Sequence, residues 1–168
     1  SGMVSHQLRN VHIVDDGVQP VFDTFVQEKI ADDQSAKGVL DLKNSPGWSR
    51  EVFLTFDLTD VPSLNDNYGL RLYVNQMNMD NVPVELSYND HLYDSSLLWD
   101  NRDDVITLPC DNGTMSSYEV GGYKSWDVSS LVAEWKDKGE TYLSFCLRFP
   151  IGGGGYARIN STEAADHQ

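Results

Sequence analysis

The stretch "SREVFLTFDLTDVP", residues 49 to 62, decides the fold class. Val52, Leu54, Phe56 and Leu58 alternate with Glu51, Phe53, Thr55 and Asp57, which is the period-two pattern of a half-buried strand and not the 3.6 period of a helix. Arg50 falls in phase with the apolar set, so the spacing predicts an arginine at the opening of the buried side. A guanidinium taken out of water needs an acid beside it, because an unpaired buried charge is strongly destabilising.

Working outward, similar runs predict strands at 10–14, 22–28, 38–43, 51–58, 69–76, 82–89, 104–108, 116–120, 123–128, 141–149 and 156–161. Turn residues separate them: "DDG" at 15–17, "NSPG" at 44–47, "SLNDN" at 63–67, "DNG" at 111–113 and four glycines at 152–155. Many short strands at such spacing predict an all-β antiparallel sandwich or barrel. One segment breaks the period. In "DVSSLVAEWKDKGE" Leu131, Val132 and Trp135 share a helical face, with Ser129 as N-cap and Gly139 as C-terminal stop. This predicts a helix of about two to three turns, plugging one end of the sandwich.

The chain has 168 residues, the size of one compact domain. Ser1-Gly2-Met3 reads as an expression scar, leaving 4–168 as a single domain. Twelve Lys and Arg against 26 Asp and Glu give a net charge of -14, a field that repels nucleic acid and anionic membranes. No run approaches the ~20 apolar residues of a membrane-spanning helix. Cys110 and Cys146 match no zinc spacing; a bridge between them and two free thiols both stay open, with free thiols the default.

Catalytic signals are missing from the sequence. His6 and His167 lie near the ends, His12 in a strand and His91 in a loop, and no nucleophile elbow, phosphate loop, zinc or EF-hand motif occurs. The pairs Asp15/Asp16, Asp32/Asp33 and Asp103/Asp104 read as solvated loops. No cofactor is expected, and a structural calcium held by loop carboxylates is the metal such acids would suit. The run Gly152 to Gly155 lacks the strand-to-helix setting of a phosphate cradle and reads as a mobile hairpin tip.

The positive charges carry more information. Alternation turns Arg71, Tyr73 and Asn75 outward in "LRLYV" and its next residue, Ser144, Cys146 and Arg148 in "YLSFCLRF", and Tyr156, Arg158 and Asn160 in "YARIN". If these strands share a sheet, its outer face gathers arginines, tyrosines and asparagines within an acidic molecule. Guanidinium forks match carboxylate or sulfate, amides bond hydroxyls, and rings pack on pyranose faces, so such a face suits an anionic sugar chain. Arg71, Arg148, Arg158 and Lys43 would meet the anions, Tyr73 and Tyr156 the rings, and Asn75 and Asn160 the hydroxyls. The plainer reading is that each arginine neutralises an acidic neighbour across strands. Trp99, Trp126 and Trp135 are expected in the core. Trp48, in the turn "NSPGWSR", either packs over the sandwich edge or extends the ligand platform.

"FDTFV", "VLDLKNS", "SREVFLTFDLTDVP", "LRLYVN", "LLWDN", "WDVSSLVAEW" and "YARINSTEAAD" stand in the order seen in a known family. Over about residues 22 to 166 the chain resembles the family-96 carbohydrate-binding modules, also called disaggregatase-related domains. The resemblance implies a β-sandwich of the jelly-roll type and a non-catalytic role, keeping a secreted bacterial polysaccharide lyase or hydrolase on alginate or a related uronate or sulfated polymer. The implied partners are that acidic polysaccharide and the catalytic domain of a parent enzyme, with neither nucleic acid nor membrane, and the implied location is outside the cell or at its surface. The family usually has an arginine at the position of Arg50, with Glu163 or Asp127 as candidate partners here. Thr162 replaces a usual arginine, and "HLYDSSLLWDNRDD" lacks the usual tryptophan near Tyr93 and a proline. Two rivals stand beside this reading. One is a structural or adhesive domain with no sugar ligand, marked by outward arginines all consumed by acids. The other is a small lyase or hydrolase, marked by a cleft joining a histidine or tyrosine to paired acids.

Overall fold

The structure, a computed structural model, describes residues 12–14, 19–60, 68–104 and 108–160. Ten strands and one α-helix follow in order: β1 (His12–Val14), β2 (Phe22–Gln27), β3 (Val39–Lys43), β4 (Arg50–Asp57), β5 (Gly69–Met77), β6 (Val82–Asn89), β7 (Leu108–Met115), β8 (Tyr123–Asp127), α1 (Ser129–Asp137), β9 (Tyr142–Arg148) and β10 (Tyr156–Asn160). Every strand pairing is antiparallel.

One layer runs β3-β10-β5-β8 and the other β4-β9-β6-β7, with β1 added beside β5 and β2 beside β4. Counted from β3, the layers read first-eighth-third-sixth and second-seventh-fourth-fifth. That order is a jelly roll of two four-stranded sheets. β3 and β4 pair only at Lys43 and Arg50, so the hairpin between them forms the corner joining the layers.

Alternation fills the space between the layers. Leu40, Leu42, Leu70, Leu72, Val74, Ala157 and Ile159 from one sheet meet Val52, Leu54, Phe56, Val84, Leu86, Leu143, Phe145 and Leu147 from the other in one continuous core. Burying each of the larger side chains contributes about 1.5–3 kcal/mol. The strand that opened the sequence reading is buried on both faces. It lies between β2 and β9, and its second face carries Phe53 and Thr55, both nearly inaccessible. Val26, Phe53, Tyr93, Leu97 and Cys146 form a second apolar cluster there, because the connection from β6 to β7 lies across the sheet. Cys146 is a free, buried thiol; the Cys110 side chain lies outside the description.

The helix forms where its apolar period predicts. Leu131, Val132 and Trp135 are buried, the Trp135 ring meets Tyr88 edge-on at 5.3 Å, and its Nε1 donates to the carbonyl of Tyr142. α1 therefore closes the end of the sandwich opposite the β3–β4 corner. Gly139, at φ +73°, supplies the left-handed residue that ends it. Val128, not Ser129, occupies the N-cap and makes no side-chain cap bond. Asp127 accepts from the Ser129 N–H instead.

Three local expectations need correction. Residues Trp99–Asp104 form 3₁₀ turns and the strand begins later, at Leu108. Ser117–Glu119 are likewise 3₁₀. "DNG" at 111–113 lies inside β7, where pairing with β6 overrides its turn chemistry. The glycine run also closes no hairpin: it joins β9 of one layer to β10 of the other, with Asn44 Nδ2 donating to the Phe149 carbonyl and Asn78 Nδ2 to that of Gly154.

Candidate functional site

The outer face of the β3-β10-β5-β8 sheet gathers most of the outward residues expected to bind. Cross-strand register sets Lys43 beside Tyr156 and Asp41 beside Arg158 on β3 and β10. A register shift between β10 and β5 after Arg158 leaves Asn75 facing Asn160, and the two amides bond at 2.9 Å. On β5 and β8, Arg71 pairs with Ser125 and Tyr73 with Tyr123. One irregularity thus turns two asparagines into a neutral bridge between two charged ends.

At the first end, Asp41 is 2 % exposed and takes two arginines. Arg158 binds it through Nε at 2.9 Å and Nη2 at 3.2 Å, and Arg50 Nη1 reaches it at 2.6 Å. Both guanidiniums also lie near the Tyr156 ring, at 5.7 Å for Arg50 and 5.9 Å for Arg158. Burial raises the Tyr156 phenol above its ordinary value and the Asp41 charge adds to it; the Asp41 hydrogen bond raises Arg158 in turn. Arg50 Nε is buried and makes no hydrogen bond. Lys43 flanks this cluster with no ion pair among the described residues.

At the second end the Arg71 guanidinium lies 4.0 Å above the Tyr123 ring, and Tyr73 meets Tyr123 edge-on at 5.6 Å. No carboxylate pairs with Arg71 among the described residues. Asp127, further along β8, is committed to the Ser129 N–H. Among the described residues four cations therefore stand against two engaged carboxylates on this face, in a chain of net charge -14. Arg71, on β5, lies two strand spacings from Lys43 and about seven residues along the strand direction, on the order of 20–25 Å away.

A model of carbohydrate-binding module family 96 matches residues 15–168, nearly the whole chain. The chain belongs to that family. No curated protein matches it. As a family-96 module it is a sugar-binding β-sandwich, and its family is one of non-catalytic binding modules.

Within the module, Lys43, Arg71, Tyr73, Asn75, Tyr156, Arg158 and Asn160 share the one sheet face. Arg148 does not join them. It lies on β9 in the other layer, opposite Glu85, and binds that carboxylate through Nε and Nη2, both at 2.8 Å. Trp48 stands in the corner hairpin, 60 % exposed, off the sheet face but within a few residues of Lys43 and Arg50. Arg50 is turned outward at the first position of its strand, since the corner breaks the alternation there. Its acid is Asp41, not Asp127; Glu163 lies outside the described residues, as do Thr162, His6, His167 and the pair Asp15/Asp16. Trp126 and Trp135 are core, whereas Trp99 is half-buried under the Arg102 guanidinium, 3.5 Å from its ring.

Sequence reasoning missed Asp41 and Tyr123. Asp41 alternates outward between Leu40 and Leu42 in "VLDLK", a signal readable only as an acid on a strand until β10 is known to lie beside it. Among the described residues no three His, Cys, Asp or Glu side chains converge as a metal site.

Proposed function

We propose that this family-96 module binds an acidic polysaccharide, alginate or a related uronate or sulfated glycan, along the outer face of the β3-β10-β5-β8 sheet. The observation that carries the reading is the reversal of sign: among the described residues Lys43 and Arg71 face out without a carboxylate partner, at the two ends of a face that also holds Arg50 and Arg158. Sugar carboxylates or sulfates meet Lys43 and the free edges of the guanidiniums at one end and Arg71 at the other. Tyr156 and Tyr73 offer rings to pyranose faces, and half-buried Asn75 offers its amide to the hydroxyls between, held from beneath by Asn160, which is 2 % exposed. Trp48 extends the platform at the corner. The module acts outside the cell, holding the catalytic domain of a parent enzyme on the polymer, and performs no chemistry itself.

A second reading, a structural or adhesive domain with no sugar ligand, is favoured by one observation: Arg50, Arg148 and Arg158 each have an acid partner. Affinity electrophoresis through gels holding alginate, pectin, chondroitin sulfate, carrageenan or neutral xylan separates the two. Retardation by an acidic polymer, weakening at high salt and falling about tenfold in affinity for Arg71→Ala, supports the sheet face. No retardation by any polymer moves the module to the structural reading.

A further inference from the structure

The long connection from β6 to β7, which covers the outer face of the other sheet, encloses a cleft of about 260 Å³. Its underside is fixed. Tyr93 is buried edge-on against Phe53 at 5.0 Å, its backbone N–H donates to Thr55 Oγ1, its hydroxyl accepts from Asn89 Nδ2, and the Ser144 hydroxyl donates to the His91 carbonyl. Asn101 ties the loop to itself, accepting from the Leu98 N–H and donating to the Ser96 carbonyl.

Two side chains in the cleft keep unused bonding capacity. Among the described residues Asp94 accepts both Ser96 bonds on Oδ1 and no bond on Oδ2, and the His91 ring makes no hydrogen bond, only a tilted contact with Tyr93. Leu92 and Leu97 supply apolar surface beside them, Leu92 standing 51 % exposed. The volume falls below the roughly 300–1,000 Å³ of sites that enclose drug-sized ligands, so a single ring fills it. The single carboxylate rejects an anion and offers no second acid for glycoside cleavage.

We infer that this cleft is a second sugar site, for one neutral pyranose residue, with Asp94 Oδ2 and the His91 ring bonding adjacent hydroxyls and Leu92 and Leu97 receiving the C–H face. It lies on the layer opposite the cationic face and does not rest on the acidic-polymer reading. Titrating the ¹⁵N-labelled chain with the methyl glycosides of glucose, galactose, mannose and xylose tests it. Expected are saturable shifts confined to amides of residues 91–101 with at least one glycoside, at least tenfold weaker in Asp94→Asn and in His91→Ala, and unchanged in Arg71→Ala. Leu92→Ala, exposed and unable to unfold the loop, should weaken binding as well. No saturable shift at millimolar glycoside, or shifts that all three cleft variants retain, would overturn the site. Either outcome leaves alginate retardation to be judged on its own.

Discussion

Asp41 organises the charged end of the sheet face. Its carboxylate holds the forks of Arg50 and Arg158 together, and both guanidiniums are partly withdrawn from water. Removing a shared acceptor leaves two charges facing one another without compensation, so Asp41→Ala should cost about 2–4 kcal/mol, read as a lower urea midpoint. Arg148→Ala should cost under ~1 kcal/mol, since the Arg148 side of its pair with Glu85 is about half exposed and screened by solvent. It should also leave binding to acidic polymers unchanged. Arg50 shows why one residue resists sequence reading: its phase follows β4, but its direction follows the corner, where it faces Lys43.

At the level of elements, one short device recurs at loop starts: Asp-x-Ser or Asp-x-Thr. Asp33, Asp57, Asp94 and Asp127 each accept from the N–H two residues on, and Asp80 receives the Ser117 N–H across the gap between loops. The side-chain and backbone bonds from Thr59, Ser117 and Ser96 hold Asp57, Asp80 and Asp94 below the ordinary value of 3.8, and the Ser129 N–H does the same for Asp127. A lowered folded value means that the unfolded chain takes up the proton first. Their stabilisation is therefore complete above that ordinary value and is lost as pH falls through the lower folded ones. Tm should hold steady from these groups above about pH 5 and drop below about pH 4, and replacing all four by Asn, which keeps the acceptor but cannot titrate, should flatten the drop. The glycine run gives a second test. A Cβ on Gly155 would meet Val82 at 3.0 Å, whereas one on Gly153 meets nothing within 4 Å. Gly155→Ala should cost about 1–3 kcal/mol and Gly153→Ala less than ~0.5 kcal/mol, both by chemical denaturation.

Across the whole molecule, the net charge of -14 sets a repulsive background against any acidic polymer. The binding proposed for the sheet face would work only at short range, where Lys43 and Arg71 outweigh that background, and it should respond to salt in two ways. Modest salt screens the long-range repulsion and speeds association, while higher salt weakens the contacts themselves. Affinity for alginate, measured by calorimetry from about 20 mM to about 500 mM salt, should rise and then fall across a Debye length of roughly 20 to 4 Å. The jelly roll makes the arrangement possible, since its two outer faces point in opposite directions and carry unlike chemistry: cations and tyrosines on one, a loop-built cleft with a single carboxylate on the other.

The strand pattern, the helix with its glycine stop and the outward phase of Arg71, Tyr73, Asn75, Tyr156 and Arg158 are local properties, set by side-chain periods of two and 3.6, and the sequence by itself determined them. Which strands became neighbours is not local. Only the tertiary structure placed β10 between β3 and β5, bringing Asp41 to Arg158 and Asn75 to Asn160, and placed β9 in the other layer, sending Arg148 to Glu85. It also buried the second face of β4 beneath the β6–β7 connection, which no alternation within residues 51–57 could announce. Period decides which way a side chain points; pairing between distant strands decides what it meets.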